Sequence, residues 1–504
     1  MKPVKPTRPL QLLDIAATRQ RETATAATLP PHTLMQRAGL SVARLGLAVA
    51  PHARTVWLAC GPGNNGGDGL EAAMHLRQWG CHPVVTWMGR DDDAPEDARA
   101  SWQRARDAGV RFLDQPPDDL GEQDLCIDAL LGIGATRPPD GQMAQWIATM
   151  NASVAGVLAV DVPSGLSADT GQPINGASTG EPLSMPLNGQ PVVVARHTLT
   201  LLAAKPGLFT ARGRDYAGVV WIDDLGADEL VGQACACVNP QPPEARRLHA
   251  SHKGSYGDVA VIGGEGIGLR GLGMTGAALL AARAALYGGA GRVMVSLLDD
   301  AECPTDFVRP ELMFRRIDAL DLQAITVVCG CGGGEAVRAV LSLLLSRSPR
   351  LVLDADGLNA IAADSSLRQL LRQRATRGMA TVLTPHPLEA ARLLHCTSAE
   401  VMADRLRAAN ALAIELQAVV VLKGSGSIIA APAKTPMVNL TGNALLAAPG
   451  TGDVLAGWIG ARMAAGEDAW EAASRSVYHH GSVADHWPAA QTLTAGMLAE
   501  RAFF

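Results

Sequence analysis

Short apolar runs punctuate the first half of the chain at residues 55–60 (TVWLAC), 83–88 (PVVTWM), 124–131 (DLCIDALL) and 154–162 (VAGVLAVDV), each followed within a few residues by glycine. Runs of this length predict strands, and the amphipathic stretch 70–80 after Gly69 predicts a helix between the first two. Strands are also predicted at 198–204 and 218–226, closing the first block. A second block repeats the rhythm, with strands expected at 258–264, 292–298, 326–330, 350–357, 381–385 and 418–424. A small-residue helix is expected over 275–291, and a helical region after Gly452. Strand, glycine turn and helix in repeated order predict parallel βαβ units, so both blocks are expected to be α/β. Between residues 226 and 252 the rhythm fails, and VNPQPPEARR carries three prolines, as a linker does. Domains are therefore expected at 1–240 and 241–504. Residues 164–191, rich in Gly, Pro, Ser and Asn, read as a long surface loop. No repeat of about 20 to 50 residues is visible, which excludes solenoids and propellers.

The 504 residues are 48% hydrophobic and 18% charged, a globular composition rather than a disordered one. A net charge of −6 offers no basic field to a polyanion, so nucleic acid is not expected as a ligand. Nine cysteines, an odd number with no CxxC, are expected to be reduced thiols of a cytoplasmic protein. The basic start lacks an apolar segment behind it, and no run of about 18 apolar residues occurs, so neither export nor a membrane span is expected. Arginine outnumbers lysine 37 to six, and Lys205, Lys253 and Lys423 stand in glycine-rich stretches. A lysine kept there is expected to serve for its compact ammonium, unless codon bias alone left it.

Candidate chemistry sits at the glycine turns. Residues 61–69 (GPGNNGGDG) hold five glycines, expected to allow positive φ and close backbone approach around a phosphate at a helix N-terminus. Asn64, Asn65 and Asp68 interrupt any GxGxxG fingerprint and offer oxygens to a hard cation or to sugar hydroxyls. Asp128 ends a second strand before Gly132-Ile133-Gly134, and Asp161 a third before Pro163-Ser164-Gly165. One such Asp reads as a helix cap; three strand ends together read as a site, since ligands of open parallel sheets bind beyond the carboxyl ends of strands. In the second block, Gly450, Thr451 and Gly452 before a helix form an anion hole. Asp453 in its first turn is either a base for an attacking hydroxyl or a simple cap.

GPGNNGGDG, DALLGIG and VDVPSG, with MQRAG (35–39) upstream and AAKPGL (203–208) downstream, resemble the NAD(P)H-hydrate epimerase domain over nearly all of residues 10–226. The resemblance implies a Rossmann-like fold. It also implies that Asn64, Asn65, Gly66, Gly67, Asp68, Gly132, Ile133, Gly134, Ala135, Thr136, Arg137 and Asp161 contact the hydrated dinucleotide. Potassium would be ligated by Asn65, Asp128 and Ser164. Downstream, HKG (252–254), Gly276-Ala277, Gly330–Gly334, LDADGLNA (353–360), TPHPLE (384–389), LKGSGS (422–427) and the GTGD turn resemble the NAD(P)H-hydrate dehydratase of the ribokinase-like superfamily over about residues 250–500. That likeness assigns the adenine nucleotide to Lys423, Gly424, Ser425, Gly426, Ser427 and Gly452, and the hydrate to Ala277, Gly332, His386 and Asp453. His386 by itself reads as a satisfied strand-end histidine. The family's GPGLG stands here as GCGGG (330–334), which is expected to loosen that loop, and Pro449 removes one backbone donor where a small residue is usual.

Two such domains on one chain resemble the bifunctional repair enzymes that act on NADHX and NADPHX, the C6 hydrates of the nicotinamide ring. The first would interconvert R and S epimers with Asp161 moving the proton. The second would dehydrate the S epimer with ADP as phosphoryl donor, Mg2+ at the phosphates and Asp453 as base, yielding AMP and phosphate. A homo-oligomer is expected. The rival readings are a kinase of a small alcohol for the second block, and a binding module without turnover for the first.

Overall fold

The computed structural model describes all residues except 6–8, 91–93, 175–190, 244–248, 269, 300–304 and 502–504. The chain divides into two compact units, one of Met1–Lys5 and Leu10–Cys237, the other covering Val238–Phe504.

The first unit is built on one sheet. Its strands lie in the order Lys2–Pro3, Val219–Asp223, His197–Leu201, Gly156–Val160, Leu125–Ala129, Val56–Cys60, Pro83–Trp87 and Arg111–Phe112. All neighbours are parallel except the first, antiparallel pair. The chain runs outward from Val56–Cys60 to Arg111–Phe112, then returns to Leu125–Ala129 on the other side and continues the opposite way. The order reverses between Val56–Cys60 and Leu125–Ala129, and such a reversal opens a crevice at the carboxyl ends. The central strands are buried along their whole length because helices cover both faces. Leu58 packs with Val42, Leu70 and Ile127 on one face, while its neighbour Trp57 packs with Trp146, Met150 and Val157 on the other.

The helix after the first strand spans Asn64–Gln78 and so begins within the glycine stretch rather than after Gly69. None of the five glycines takes a positive φ. Gly61, Gly66, Gly67 and Gly69 serve for clearance, while a Cβ on Gly63 would meet open space. A Cβ on Gly66 would run into the Gly61 carbonyl, one on Gly67 would come within 2.8 Å of Met35 Cε, and one on Gly69 within 2.6 Å of Ala129 Cβ. The glycines thus let the helix start directly against the strand ends. The expected surface loop also differs: Ser164, Leu166 and Ala168 are buried, and Gly165 turns at φ 91 under Pro191 and Val192. Residues 175–190 of that loop lie outside the described residues.

The second unit carries strands in the order Met313–Phe314, Arg292–Leu298, Asp258–Glu265, Thr326–Cys329, Arg350–Leu353, Ala380–Leu383, Val419–Leu422, Ile428–Ala430 and Met437–Val438. The first seven run parallel and the last two join antiparallel. Here the order reverses between Asp258–Glu265 and Thr326–Cys329. Helices Thr275–Tyr287 and Thr451–Ala464, rich in Ala and Gly, pack closely, since a Cβ on Gly457 would meet the Ala281 backbone.

Candidate active sites

In the first unit, three strand ends converge on the reversal point. Asp128 closes Leu125–Ala129 and is fully buried. Its Oδ2 accepts from the Ser164 N–H at 2.8 Å, and its Oδ1 from the Ser164 hydroxyl at 2.6 Å and the Leu130 N–H at 3.2 Å. Burial pushes its carboxyl up to about 6 despite those donors. Asn65, in the first turn of its helix, directs Oδ1 at Gly132, where a Cβ would lie 3.1 Å away, while its Nδ2 is buried without a partner. Asp161 follows strand Gly156–Val160 at φ 68, a left-handed conformation that Asp tolerates better than most residues. Its Oδ2 lies 3.4 Å from the Ile133 N–H of the Gly132–Arg137 loop. Asn65, Asp128, Gly132, Ile133, Asp161 and Ser164 are thereby brought together. Asp68 is one turn into the helix, and burial followed by the nearby charge of Asp161 pushes its carboxyl well up. Gly134, Thr136 and Arg137 are exposed at the rim.

Lys205, singled out by its compact ammonium, proves to be wholly buried and paired with Asp161. Lys423 is its counterpart in the second unit, 2.6 Å from Asp354 Oδ1. Lys253 departs from that expectation: it lies in a short turn, Lys253–Tyr256, with its side chain exposed.

In the second unit the helix Thr451–Ala464 starts from Gly450 at φ 88. Asp453 in its first turn shares a pocket with Cys331 and Asp354, their ligand atoms all within 4.8 Å of one another. Burial, then the charge of Asp354, pushes the Asp453 carboxyl up to about 7, opposed by a hydrogen bond from Cys331. A Cβ on Gly452 would stand 3.1 Å from Lys423 Nζ, which places that ammonium beside the start of the Thr451–Ala464 helix. Lys423 opens the turn Lys423–Ser427 between strands Val419–Leu422 and Ile428–Ala430, with Gly424 at φ 138 and Gly426 at φ 62. Burial pulls Lys423 down, but the carboxylates of Asp354 and Glu389 outweigh it and leave the ammonium above its ordinary value. Ala277 and Gly332 meet, since a Cβ on Gly332 would come within 2.9 Å of Ala277 Cβ.

Hydrogen bonds pin the 330–334 loop at three of its residues. Glu265 N–H donates to Gly332 O at 2.7 Å, Gly264 N–H to Cys331 O at 3.0 Å, and Gly334 N–H to Asp356 Oδ2 at 2.9 Å. Gly330, Gly332 and Gly334, the glycines this loop shares with the GPGLG pattern, all take positive φ, whereas Gly333, which stands in place of its leucine, does not. His386 caps the helix Pro387–Leu394: its Nδ1 accepts from the Leu388 and Glu389 N–H groups at 3.1 and 3.3 Å, and its Nε2 lies 3.2 Å from Glu389 Oε1. Glu389, to which the sequence motif gave no role of its own, completes a capping box with His386, is buried near Lys423 and is pushed up to about 7 by burial.

Residues 31–207 match the model of the YjeF-related protein N-terminus, and residues 259–503 that of NAD(P)H-hydrate dehydratase. The bifunctional NAD(P)H-hydrate repair enzyme of Escherichia coli K12 is 34% identical over 498 residues, 96% of this chain and 90% of that protein. The enzyme of the same name from Coxiella burnetii is 34% identical over 92% of this chain and 91% of its own length. A crystal structure of the ADP/ATP-dependent NAD(P)H-hydrate dehydratase of Bacillus subtilis with ATP and Mg2+ aligns with 51% of this chain and 90% of that one, at 29% identity and a TM-score of 0.42. With both domain models matched in order and relatives aligned over nearly the full length, the chain belongs to the family of bifunctional NAD(P)H-hydrate repair enzymes.

Proposed function

We propose that the first unit interconverts the R and S epimers of NADHX and NADPHX, and that the second converts the S epimer to NADH or NADPH while ADP becomes AMP and phosphate. The observation that carries this reading is that in each unit an aspartate, glycine turns and a lysine–aspartate pair gather at the carboxyl ends of parallel strands, at the order reversal in the first unit and beyond Arg350–Leu353 and Val419–Leu422 in the second.

In the first unit Asp161 Oδ2 faces the 132–137 loop, a position suited to taking the proton of the C6 hydroxyl as the C6–N1 bond opens to an aldehyde, and to returning it to that oxygen as N1 adds back to the other face of the carbonyl. Asn64 to Asp68 and Gly132 to Arg137 would hold the dinucleotide, its phosphates near the start of the Asn64–Gln78 helix. Potassium fits beside them. Asp128 is a buried carboxylate with no cationic side chain paired to it among the described residues, and Asn65 directs its Oδ1 oxygen toward Gly132, while its unsatisfied Nδ2 is a donor suited to a phosphate rather than to the ion. Asn65, Asp128 and Ser164 would hold the ion, which would neutralise Asp128 and favour the substrate phosphates.

In the second unit Asp453, with a proton affinity near neutrality, is suited to remove the proton of the C6 hydroxyl as that oxygen attacks the terminal phosphorus of ADP. The P–O bond to AMP breaks as the new one forms. Phosphate, unlike hydroxide, then leaves readily from C6, driven by the ring nitrogen, and loss of a neighbouring ring proton restores the dihydronicotinamide. Lys423 to Ser427 and Gly452 would hold the nucleotide; Ala277, Gly332, Asp453 and the ring face of His386 would flank the hydrate. The Asp354 and Asp453 carboxylates suit Mg2+, an oxygen-seeking ion that would neutralise the phosphates, whereas the Cys331 thiol does not. The eight described cysteines are free thiols, which supports a reducing, cytoplasmic setting, and no helix among the described residues is long and apolar enough to cross a membrane.

The test is to incubate the purified protein with mixed epimers, with and without ADP, and to follow each epimer by chromatography. Equilibration without ADP, and complete recovery of NADH with release of AMP and phosphate when ADP is added, are expected. A stable phosphorylated hydrate would instead identify an ordinary kinase.

A further inference from the structure

Lys205 is the most enclosed cation of the first unit, with no exposed surface. Its Nζ donates to Asp161 Oδ1, to the Leu201 carbonyl at 2.7 Å and to Thr200 Oγ1 at 3.0 Å. An ammonium has three N–H donors, and all three are taken, so none remains for a substrate. The acceptors are themselves fixed. The Thr200 hydroxyl donates to Ala203 O at 3.1 Å, which turns a lone pair toward Lys205. Leu202, at φ 65, folds the strand end back so that the Ala203 N–H donates to Leu201 O at 2.7 Å. Asp161 is tied to the same strand end through its N–H to Leu199 O at 2.7 Å.

The two oxygens of Asp161 therefore have different surroundings. Oδ1 takes Lys205 Nζ and lies 3.3 Å from the Leu201 N–H. Oδ2 has only the long approach of the Ile133 N–H at 3.4 Å and looks onto Gly132, where a Cβ would lie 3.4 Å from it.

We propose that Lys205 is the positioning residue of the epimerisation site, holding Asp161 by Oδ1 so that Oδ2 is presented to the C6 hydroxyl of the hydrate. This rests on the epimerase reading of the first unit. A lysine is required because a socket of three convergent acceptors suits a compact ammonium, while a planar guanidinium with five donors would overfill it. That accounts for a lysine surviving at this position in a chain with 37 arginines.

The experiment is a double-mutant cycle on the full-length protein, with conversion of pure S epimer by the second unit as the control for an intact chain. Lys205→Met is expected to lower kcat for epimerisation on the order of 100-fold, as for a misplaced catalytic group. KM should stay within about threefold, because binding of the ground state is untouched. Lys205→Arg is expected to resemble Lys205→Met. In an Asp161→Asn background, Lys205→Met should cost less than about threefold more, since a residue that acts only through Asp161 has nothing left to position. Wild-type kcat in Lys205→Met, or losses that multiply in the double variant, would overturn the proposal. If Lys205→Met does not fold, Thr200→Val decides. It removes one acceptor and keeps the ion pair, with about a fivefold loss of kcat expected from one hydrogen bond, and wild-type kcat there also overturns the proposal. The underlying reading fails separately: Asp161→Asn with undiminished epimerisation would refute Asp161 itself, whatever Lys205 does.

Discussion

The Lys423 ammonium stands 2.6 Å from Asp354 Oδ1 and 3.1 Å from the point where a side chain on Gly452 would begin, so one cation stands beside both a buried carboxylate and the start of the Thr451–Ala464 helix. Lys423→Met should raise the KM for ADP about tenfold or more, the usual loss for a hydrogen bond to a charged group. It also leaves Asp354 without its cation. Because a fifth of the Lys423 side chain is exposed, the second unit should lose about 2 kcal/mol, less than the roughly 3–5 kcal/mol of a fully buried pair. Steady-state kinetics and denaturant unfolding measure both effects, and an unchanged KM for ADP would contradict the placement.

The two aspartates should divide the work. Asp453→Asn keeps the shape of the helix start and removes the base, so dehydration should fall by about 10²–10⁴ while R and S still equilibrate. Asp161→Asn should do the reverse, consuming the S epimer with ADP and leaving the R epimer to the uncatalysed rate. A mixture of the two variants should restore full repair, as followed by chromatography, because the epimers diffuse between proteins.

Asp453 sets a pH dependence. Its carboxyl is raised to about 7, so it is protonated below that pH and able to accept a proton only above it. The kcat/KM for the S epimer should accordingly rise with pH through about 7. The Cys331 hydrogen bond favours the ionised form, and Cys331→Ala should therefore move that limb to higher pH. A limb that stays in place would separate the thiol from the base.

Potassium should stabilise the first unit more strongly as pH rises. Asp128 titrates at about 6 when folded against an ordinary 3.8. The folded state thus holds an extra proton between those values, and the stability that this proton contributes is lost as pH rises through about 6. A bound cation favours the ionised carboxylate and offsets the loss. Thermal unfolding with potassium or with tetramethylammonium should show a gap that widens from pH 5 to pH 7.5, and Asp128→Asn should abolish the widening.

The parallel strands were legible because a strand covered on both faces must be largely apolar, as Val56–Cys60 is throughout and Leu125–Ala129 is but for Asp128. The functional loops were legible for a related reason. Asp128 stands at the end of such a strand, Asp161 follows one directly and Asn65 lies in the turn of helix just beyond one, and a strand end is a local property of the chain. The family's motifs are short for the same reason, each one a single strand end with its turn.

Only the tertiary structure decided which ends meet and what each glycine is for. Val56–Cys60 lies beside Leu125–Ala129 because the sheet order reverses there, and no local pattern records strand order. Lys205 finds Asp161 across 44 residues, and Lys423 finds Asp354 across 69. The lysine count hinted at both, but it flagged the exposed Lys253 equally, since composition carries no burial. The glycines at 61–69 suggested positive φ, and four of them instead supply clearance, while those at 330, 332 and 334 do turn left-handed. A missing side chain permits either use, and only the neighbours that a Cβ would strike determine which one the fold makes of it.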